Sequence, residues 1–424
     1  MKRIIFAVVS VMAIQGAFSQ RADTLSLEAC FRIAGERSPL NRQKNLSAEA
    51  WANKNKNLTS NWYPSLGFNA QAMYYSETVH FSDLVGNLPA SVEPLPLDQY
   101  KIWADINQQL YDGGAVKARK AIEKASYEAD LQQVEADILV LKQQVNQTYF
   151  SLLAVKVNTS VLQVSFEELQ EKKKVVRAGV DNGLVLSENM MALEAEELRL
   201  QQKLLELKLN QDQLLKVLSI LMDSTLPGNL IIHEPAEPRV VDENITRPEY
   251  VLLDWQKEQL QASQKLVSST DLPKFFAFSQ VAYGRPGYNF LSREFHPYYS
   301  VGMGMKWNFM NYGDNRRQKK ILDIQKDIVD IKRETFDDQL SIQLQTEKTN
   351  QEKYDELMNQ DEAILKLRKA IAANSLNKLT NGIITSTEYL TVLNAEILAR
   401  LQYENHKLLK IQAFYNYMLL QGKL

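Results

Sequence analysis

The chain has 424 residues, enough for a large core or for two or three domains. Its 49 basic and 51 acidic residues leave a net charge of −2, which argues neither for nor against a nucleic-acid partner. A mean hydropathy of −0.32 excludes a bundle of membrane helices. It leaves open a β-barrel, whose strands are apolar on one face only.

Residues 1–19 read as a signal peptide. Lys2-Arg3 form a basic start, Ile4 to Ile14 a short apolar stretch, and Ala17-Phe18-Ser19 a cleavage site before Gln20. The apolar run is too short to span a bilayer, and no later stretch approaches the roughly 20 apolar residues that a membrane helix needs. Cys30 is the only cysteine, so an internal disulfide or a cysteine-based metal site is excluded. Arg21, Asp23 and Glu28 separate it from the apolar run, which argues against lipidation. It is expected to pack on the first helix as a small apolar residue.

Thr24 to Ser60 is mostly helical, interrupted at Pro39. Ser38 is the expected cap and Pro39 the first residue of a second helix, which stops near Trp62-Tyr63-Pro64. The apolar period then changes from about 3.6 to 2. Leu66, Phe68, Ala70, Ala72 and Tyr74 alternate with Gly67, Asn69, Gln71 and Met73. A loop with Pro89, Pro94 and Pro96 follows, and then Ile102, Ala104, Ile106 and Leu110 alternate in a second strand. Asp112-Gly113-Gly114 launches a long helix. Its apolar residues step by threes and fours through Val134, Ile138, Val145, Leu152, Leu162, Leu169 and Val176, a heptad seam. From about Ala115 to Ala178 it would be about 95 Å long. Asn182-Gly183-Leu184 turns the chain, and the return helix carries Leu186, Met190, Leu193, Leu200, Leu207 and Leu218 on its seam. Residues 227–246 read as an irregular connector.

The plan then repeats. Arg247-Pro248 opens a helix that Leu272-Pro273 ends, as Ser38-Pro39 and Tyr63-Pro64 did. Phe275 to Tyr283 forms a third strand, and Tyr299 to Phe309 a fourth. Asn311-Tyr312-Gly313 launches a second long helix, beginning with Ile321, Ile324, Ile328 and Ile331. Asn381-Gly382-Ile383 turns it, 199 residues after the first such turn. The prolines at the strand starts are offset by 209, so the ten-residue difference lies between the strands and the long helices keep one length. The expected organisation is a signal at 1–19, a first repeat at 20–226, a connector at 227–246 and a second repeat at 247–424.

Four strands cannot close a barrel, for which about eight are needed. Open edges cannot face lipid, because their backbone groups would be unsatisfied. If these strands lie in a membrane, several chains share one barrel, and cyclic association of three chains gives twelve strands. Trp62, Tyr63, Tyr74, Tyr75, Tyr100, Trp103, Tyr283, Tyr298, Tyr299 and Trp307 cluster at strand ends, as an aromatic girdle would.

Together these motifs resemble the TolC family of outer membrane efflux proteins along nearly the whole mature length. The resemblance rests on Leu25-Ser26-Leu27-Glu28-Ala29, Tyr63-Pro64-Ser65-Leu66, Leu110-Tyr111-Asp112-Gly113-Gly114 with its weaker copy at Phe309–Gly313, and the two Asn-Gly turns. It implies an α+β, mostly α fold. Four strands per chain would enter a homotrimeric twelve-stranded barrel in the outer membrane, contacting its lipid, and continue as an antiparallel coiled-coil periplasmic tunnel. It implies passive export in partnership with a periplasmic adaptor and an inner-membrane pump of RND or ABC type. The tips, Asn182, Gly183, Leu184, Asn381, Gly382 and Ile383, are the implied adaptor-docking site. Glu388 and Thr391 are the implied aperture positions, with Asn189 and Ala192 as their first-repeat equivalents. Only one of these four is acidic, a departure from the family's pattern. A plain reading of Glu388 is a helix-start carboxylate favoured by the dipole.

No catalytic constellation, cofactor motif or nucleic-acid site is visible. His80, His233, His296 and His406 lack ligand spacing, and Lys172-Lys173-Lys174 reads as a solvated helix face. The competing reading is a periplasmic coiled-coil adaptor without a pore. Such a protein would need a lipoyl-like β-domain interrupted by one helical hairpin, and no segment reads that way.

Overall fold

Both repeats fold as strand pairs feeding helical hairpins. The structure, a computed structural model, describes residues 24–78, 94–183, 185–227, 231–237, 244–289 and 292–424. The expected signal segment, Leu184, His80, and parts of the first strand-to-strand loop and of the connector lie outside these. In chain order the elements are β1 (Thr24–Leu25), α1 (Leu27–Arg37), α2 (Leu40–Ser60), β2 (Ser65–Tyr74), β3 (Asp98–Tyr111), α3 (Ala115–Asp181) and α4 (Ser187–Leu221). There follow β4 (Ile231–Ile232), α5 (Pro248–Ser269), β5 (Lys274–Arg285), β6 (His296–Lys306), α6 (Asp314–Thr380) and α7 (Ser386–Gln421). The long helices α3 and α6 are 67 residues each, as the constant offset of 199 requires. Two compact units result, one drawn from Met1–Asn41, Glu135–Arg247 and Asp338–Leu424, the other from Arg42–Val134 and Pro248–Asp337.

The second unit holds the sheet. Its order is β2-β3-β5-β6, antiparallel throughout, so β2 and β6 are its edges. Register places Leu66 opposite Ile106, Phe68 opposite Ala104, Ile102 opposite Tyr283 and Val281 opposite Tyr299. One apolar face therefore crosses all four strands, because side chains of paired residues share a side. The opposite face carries Asn69, Lys101, Asp105 and Gln280. Trp103 and Tyr298 belong to this polar face, not to the apolar girdle expected from their position near strand ends. Lys101 Nζ lies 4.8 Å from the Trp103 ring centre and 5.5 Å from that of Tyr298, cation–π distances.

The fourth strand stops at Lys306, short of the expected Phe309. Lys306 lies opposite Lys274, where β5 begins, so among the described residues Trp307 and Phe309 have no strand partner. Trp307 Nε1 donates instead to the Asp271 carbonyl at 3.0 Å. After β3, Asp112 accepts from Gly114 N at 2.8 Å and Val116 N at 2.6 Å, satisfying orphan donors at the start of α3. Helix α2 lies along α3 through stacked Trp51 and Tyr127 and a 2.9 Å Lys54–Glu123 ion pair. Tyr250 and Phe336 meet edge-on between α5 and α6, where Arg333 pairs with Asp254 at 2.7 Å.

The first unit is helical. Ser38 Oγ accepts from Leu40 N at 3.2 Å, so the expected cap is in place and α2 starts one residue after Pro39. Cys30 is buried with Leu27, Phe31, Val145, Leu152, Leu218 and Leu419, and burial pushes its thiol up to about 12. The connector is less irregular than expected: β4 pairs in parallel with β1, Thr24 opposite Ile231. Beneath them the buried Tyr149 hydroxyl lies 2.9 Å from the Leu25 carbonyl and 2.5 Å from that of His233. A second core holds the heptad residues Leu162, Leu169 and Val176 with Leu193, Leu200, Leu207, Leu390, Leu393 and Ile397. Each such buried aliphatic side chain contributes about 1.5–3 kcal/mol.

Candidate functional site

Both helical hairpins turn in one way. At the end of α3, Gly183 has φ +70° and its N–H donates to the Val180 carbonyl at 2.9 Å. At the end of α6, Gly382 has φ +69° and donates to the Leu379 carbonyl at 3.0 Å, while Ile383 N donates to the Lys378 carbonyl at 2.9 Å. That is a Schellman ending, in which glycine takes the left-handed conformation without the strain a Cβ would add. The preceding asparagines have a matching task. Asn182 Nδ2 donates to the Ala178 carbonyl and Asn381 Nδ2 to the Asn377 carbonyl, both at 2.7 Å. The Asn-Gly pair is thus first a helix terminator.

The return helices begin differently. Thr385 caps α7 by accepting from Glu388 N at 3.2 Å, and Glu388 Oε2 accepts from Thr385 N at 2.8 Å and Thr385 Oγ1 at 3.0 Å. This capping box is legible in the sequence as Thr-x-x-Glu. The backbone and hydroxyl donors of Thr385 hold the Glu388 carboxyl below the usual carboxylate range. Asn189 Oδ1 accepts from Ser386 N at 2.7 Å, so the first hairpin caps the second. Helix α4 has Leu186 at its cap and no side-chain cap bond.

Leu186 was expected on the buried seam. It is instead 70% exposed, because its place before the first turn of α4 lies off the helical stripe. Ile383 is 69% exposed. Of the expected tip residues, Asn182, Gly183, Asn381, Gly382 and Ile383 all lie on exposed surface of the two turns. Glu388 and Thr391 are exposed on the first two turns of α7, where Thr391 Oγ1 donates to the Thr387 carbonyl at 3.0 Å. Behind them Tyr389 is buried, which, with Glu168 and Glu396 nearby, raises its phenol pKa above the ordinary value. Further up, Arg199 binds buried Glu196 and donates to Asn394 Oδ1 at 2.8 Å, a second bond between α4 and α7.

A separate polar centre lies on the sheet. Asp105 accepts from Asn69 Nδ2 at 2.9 Å, Trp103 Nε1 at 2.6 Å and Gln280 Nε2 at 2.7 Å. Lys101 Nζ donates to Gln280 Oε1 at 3.2 Å. Three strands thus share one hydrogen-bonded carboxylate. Among the described residues no group of three or more His, Cys, Asp or Glu could hold a metal ion, and no helix is long and apolar enough to cross a membrane.

Residues 37–221, from the end of α1 to the end of α4, match the family model for outer membrane efflux proteins. That match spans less than half of the chain and is a likeness to that family. The solved structures extend that likeness to the second repeat. The outer membrane protein VceC from Vibrio cholerae is 12% identical, with a TM-score of 0.70 over 93% of this chain and 96% of its own. The Campylobacter jejuni outer membrane channel CmeC is 15% identical, with a TM-score of 0.68 over 94% and 85%. The Neisseria gonorrhoeae channel MtrE, solved in an open state, is 14% identical, with a TM-score of 0.68 over 93% and 88%. At such identities the shared property is the efflux-channel fold. No curated protein sequence matches the chain.

Proposed function

We propose that this chain is one of three identical subunits of an exit duct in the outer membrane. The duct passively passes small molecules from the periplasmic side to the exterior. An inner-membrane pump of RND or ABC type supplies the energy, and a periplasmic adaptor links pump to duct. One observation carries the reading: a four-stranded sheet with one apolar face and two open edges, each hairpin feeding a 67-residue helix. An exposed apolar face of this breadth marks an interaction or membrane surface, and in lipid the sheet is forbidden unless its edges are closed by other chains. The exposed tips, with Leu186 and Ile383 as apolar anchors, are the surface proposed for the adaptor. Glu388 and Thr391 are proposed to line the aperture, with three copies of the Glu388 carboxylate forming a ring.

Membrane fractionation followed by planar-bilayer recording tests this. The purified protein is expected in the outer membrane, extracted only by detergent, and conducting in discrete steps. A protein that stays soluble without detergent and never conducts would be no duct.

A further inference from the structure

Resting on the exit-duct reading, we propose that the helix ends beneath the sheet carry a basic belt that binds the headgroups of acidic phospholipids in the adjoining membrane leaflet. All four strand–helix junctions lie at one end of the sheet: register sets Ser65 opposite Asn107, Tyr111 opposite Phe275 and Lys274 opposite Lys306. The helix ends are held there side by side. Lys120 Nζ donates to Thr59 Oγ1 at 2.7 Å, joining α3 to the end of α2. Asn315 Nδ2 donates to Thr270 Oγ1 at 2.7 Å, joining α6 to the end of α5. A Cβ on Gly113 would lie 2.6 Å from the Ser269 carbonyl, so the approach to α3 also abuts the end of α5.

At this level the charge is of one sign. Residues 50–60 and 259–269, at the ends of α2 and α5, contain lysine but no Asp or Glu. The same holds for Lys and Arg in 115–122 and 315–322, at the starts of α3 and α6. The whole chain has 49 basic and 51 acidic residues, so acids are missing from this level rather than scarce throughout. The acids that flank it are already engaged. Asp112 caps α3, Asp271 pairs with Lys319 at 3.6 Å, Asp314 with Arg317 at 3.7 Å and Glu123 with Lys54 at 2.9 Å. Lys56, Lys117, Arg119, Lys265 and Arg316 are exposed, and none forms an ion pair among the described residues. Their charge is left for something outside the chain.

Two further observations point to a membrane surface. The repeat keeps these cations. A shift of 209 carries Lys56 onto Lys265, and a shift of 199 carries Lys117 onto Arg316. The packing pair Trp51 and Tyr127 is not kept: its equivalents are Leu260 and Lys326. The second observation is the neighbourhood. Between the belt and the strands stand Trp62, Tyr63, Trp307, Phe309 and Tyr312, all exposed. Exposed rings beside exposed cations suit a bilayer interface, with the rings at headgroup depth and the long basic side chains reaching the phosphates. An acidic phospholipid carries the net negative charge that a zwitterionic one lacks, and each Lys or Arg near such a surface adds to the attraction. A soluble anion would meet the same cations but gain nothing from the rings and the apolar strand face above them.

The full-length protein in proteoliposomes tests this, with spin-labelled phosphatidylglycerol and phosphatidylcholine as probes. The fraction of each label immobilised at the protein gives their relative association. At low salt phosphatidylglycerol is expected to be favoured at least about fivefold, falling to near parity at about 1 M salt, where the Debye length is only about 3 Å. Lys56→Gln/Lys117→Gln/Lys265→Gln/Arg316→Gln should lose the preference at low salt, and Lys56→Gln/Lys265→Gln or Lys117→Gln/Arg316→Gln should lose part of it. Lys174→Gln/Lys203→Gln, exposed on the helical unit, should keep it. Native mass and single-channel conductance show that each variant is assembled. Should the fourfold variant fail to assemble, the two pair variants and the salt series on the native protein decide. Three results in a conducting protein overturn the belt and leave the duct standing. They are no preference at low salt, a preference untouched by the substitutions, and displacement of phosphatidylglycerol by inorganic phosphate beyond that by chloride of equal ionic strength. A protein that immobilises neither label and never conducts overturns both.

Discussion

Asn189 Oδ1 accepts the Ser386 N–H at 2.7 Å, across 197 residues of sequence. Under the repeat, Asn189 is the counterpart of Glu388, and the two side chains serve neighbouring donors at the start of α7. One helix start is capped twice and the other, at Leu186, not at all by a side chain. The hairpins are therefore alike as turns and unlike as partners.

Asn189→Ala is expected to free the Ser386 amide. A lost cap bond costs about 1 kcal/mol, so exchange of that amide should quicken about fivefold. Hydrogen-exchange mass spectrometry over 383–390 reads this directly. An unchanged rate would show that the bond contributes nothing to tip order.

Glu388 is expected to stay charged below the usual glutamate range. Its folded pKa is lowered from 4.5 by the Thr385 donors. A lowered folded pKa gives a contribution present above the unfolded value and lost as pH falls through the folded one. Order at the start of α7 should therefore hold at neutral pH and decline only below about 4.5, and Glu388→Gln should remove that dependence. In bilayers, Glu388→Gln should also lower cation preference at neutral pH, measured as a shift in reversal potential. An unshifted potential in an assembled trimer would leave the carboxylate as a helix cap alone.

Ile383→Asp and Leu186→Asp are expected to weaken adaptor binding at least about tenfold each, the scale of losing an apolar anchor at an interface. Trimer assembly and single-channel conductance should stay as in the native protein, because neither residue is buried. Titration calorimetry with the cognate adaptor, beside conductance on the same preparation, separates the two effects. Equal affinity would move the docking site elsewhere.

Asp105→Ala is expected to leave Asn69, Trp103 and Gln280 without their shared acceptor. Unmet donors cost about 1–3 kcal/mol, so the variant should unfold at a lower temperature in detergent. Asp105→Asn retains one carbonyl acceptor and should lose less. Thermal unfolding followed on gels without prior boiling ranks the two, and the reverse ranking would contradict the network.

Local patterns carried most of the fold. The 3.6-residue stripe of Val134, Val145, Leu152 and Leu169 and the alternation of Leu66, Phe68 and Ala70 each need only neighbours in sequence, and both are visible there. The tip turns were equally legible, because Asn-Gly at a helix end has a short-range cause. The β1–β4 pair was not legible: two residues each, joined across 207 positions, leave no periodic trace. Leu186 misled because spacing alone does not show where the first turn of a helix begins.

The sequence by itself determined the doubled plan, the equal helices and the apolar strand face, since these follow from periodicity and from offsets of 199 and 209. Tertiary structure alone decided that Trp103 faces Lys101 and Asp105, that Asn189 caps the opposite hairpin, and that β2 and β6 end the sheet unpaired. Those outcomes depend on register and on contacts between distant segments, which no local pattern encodes.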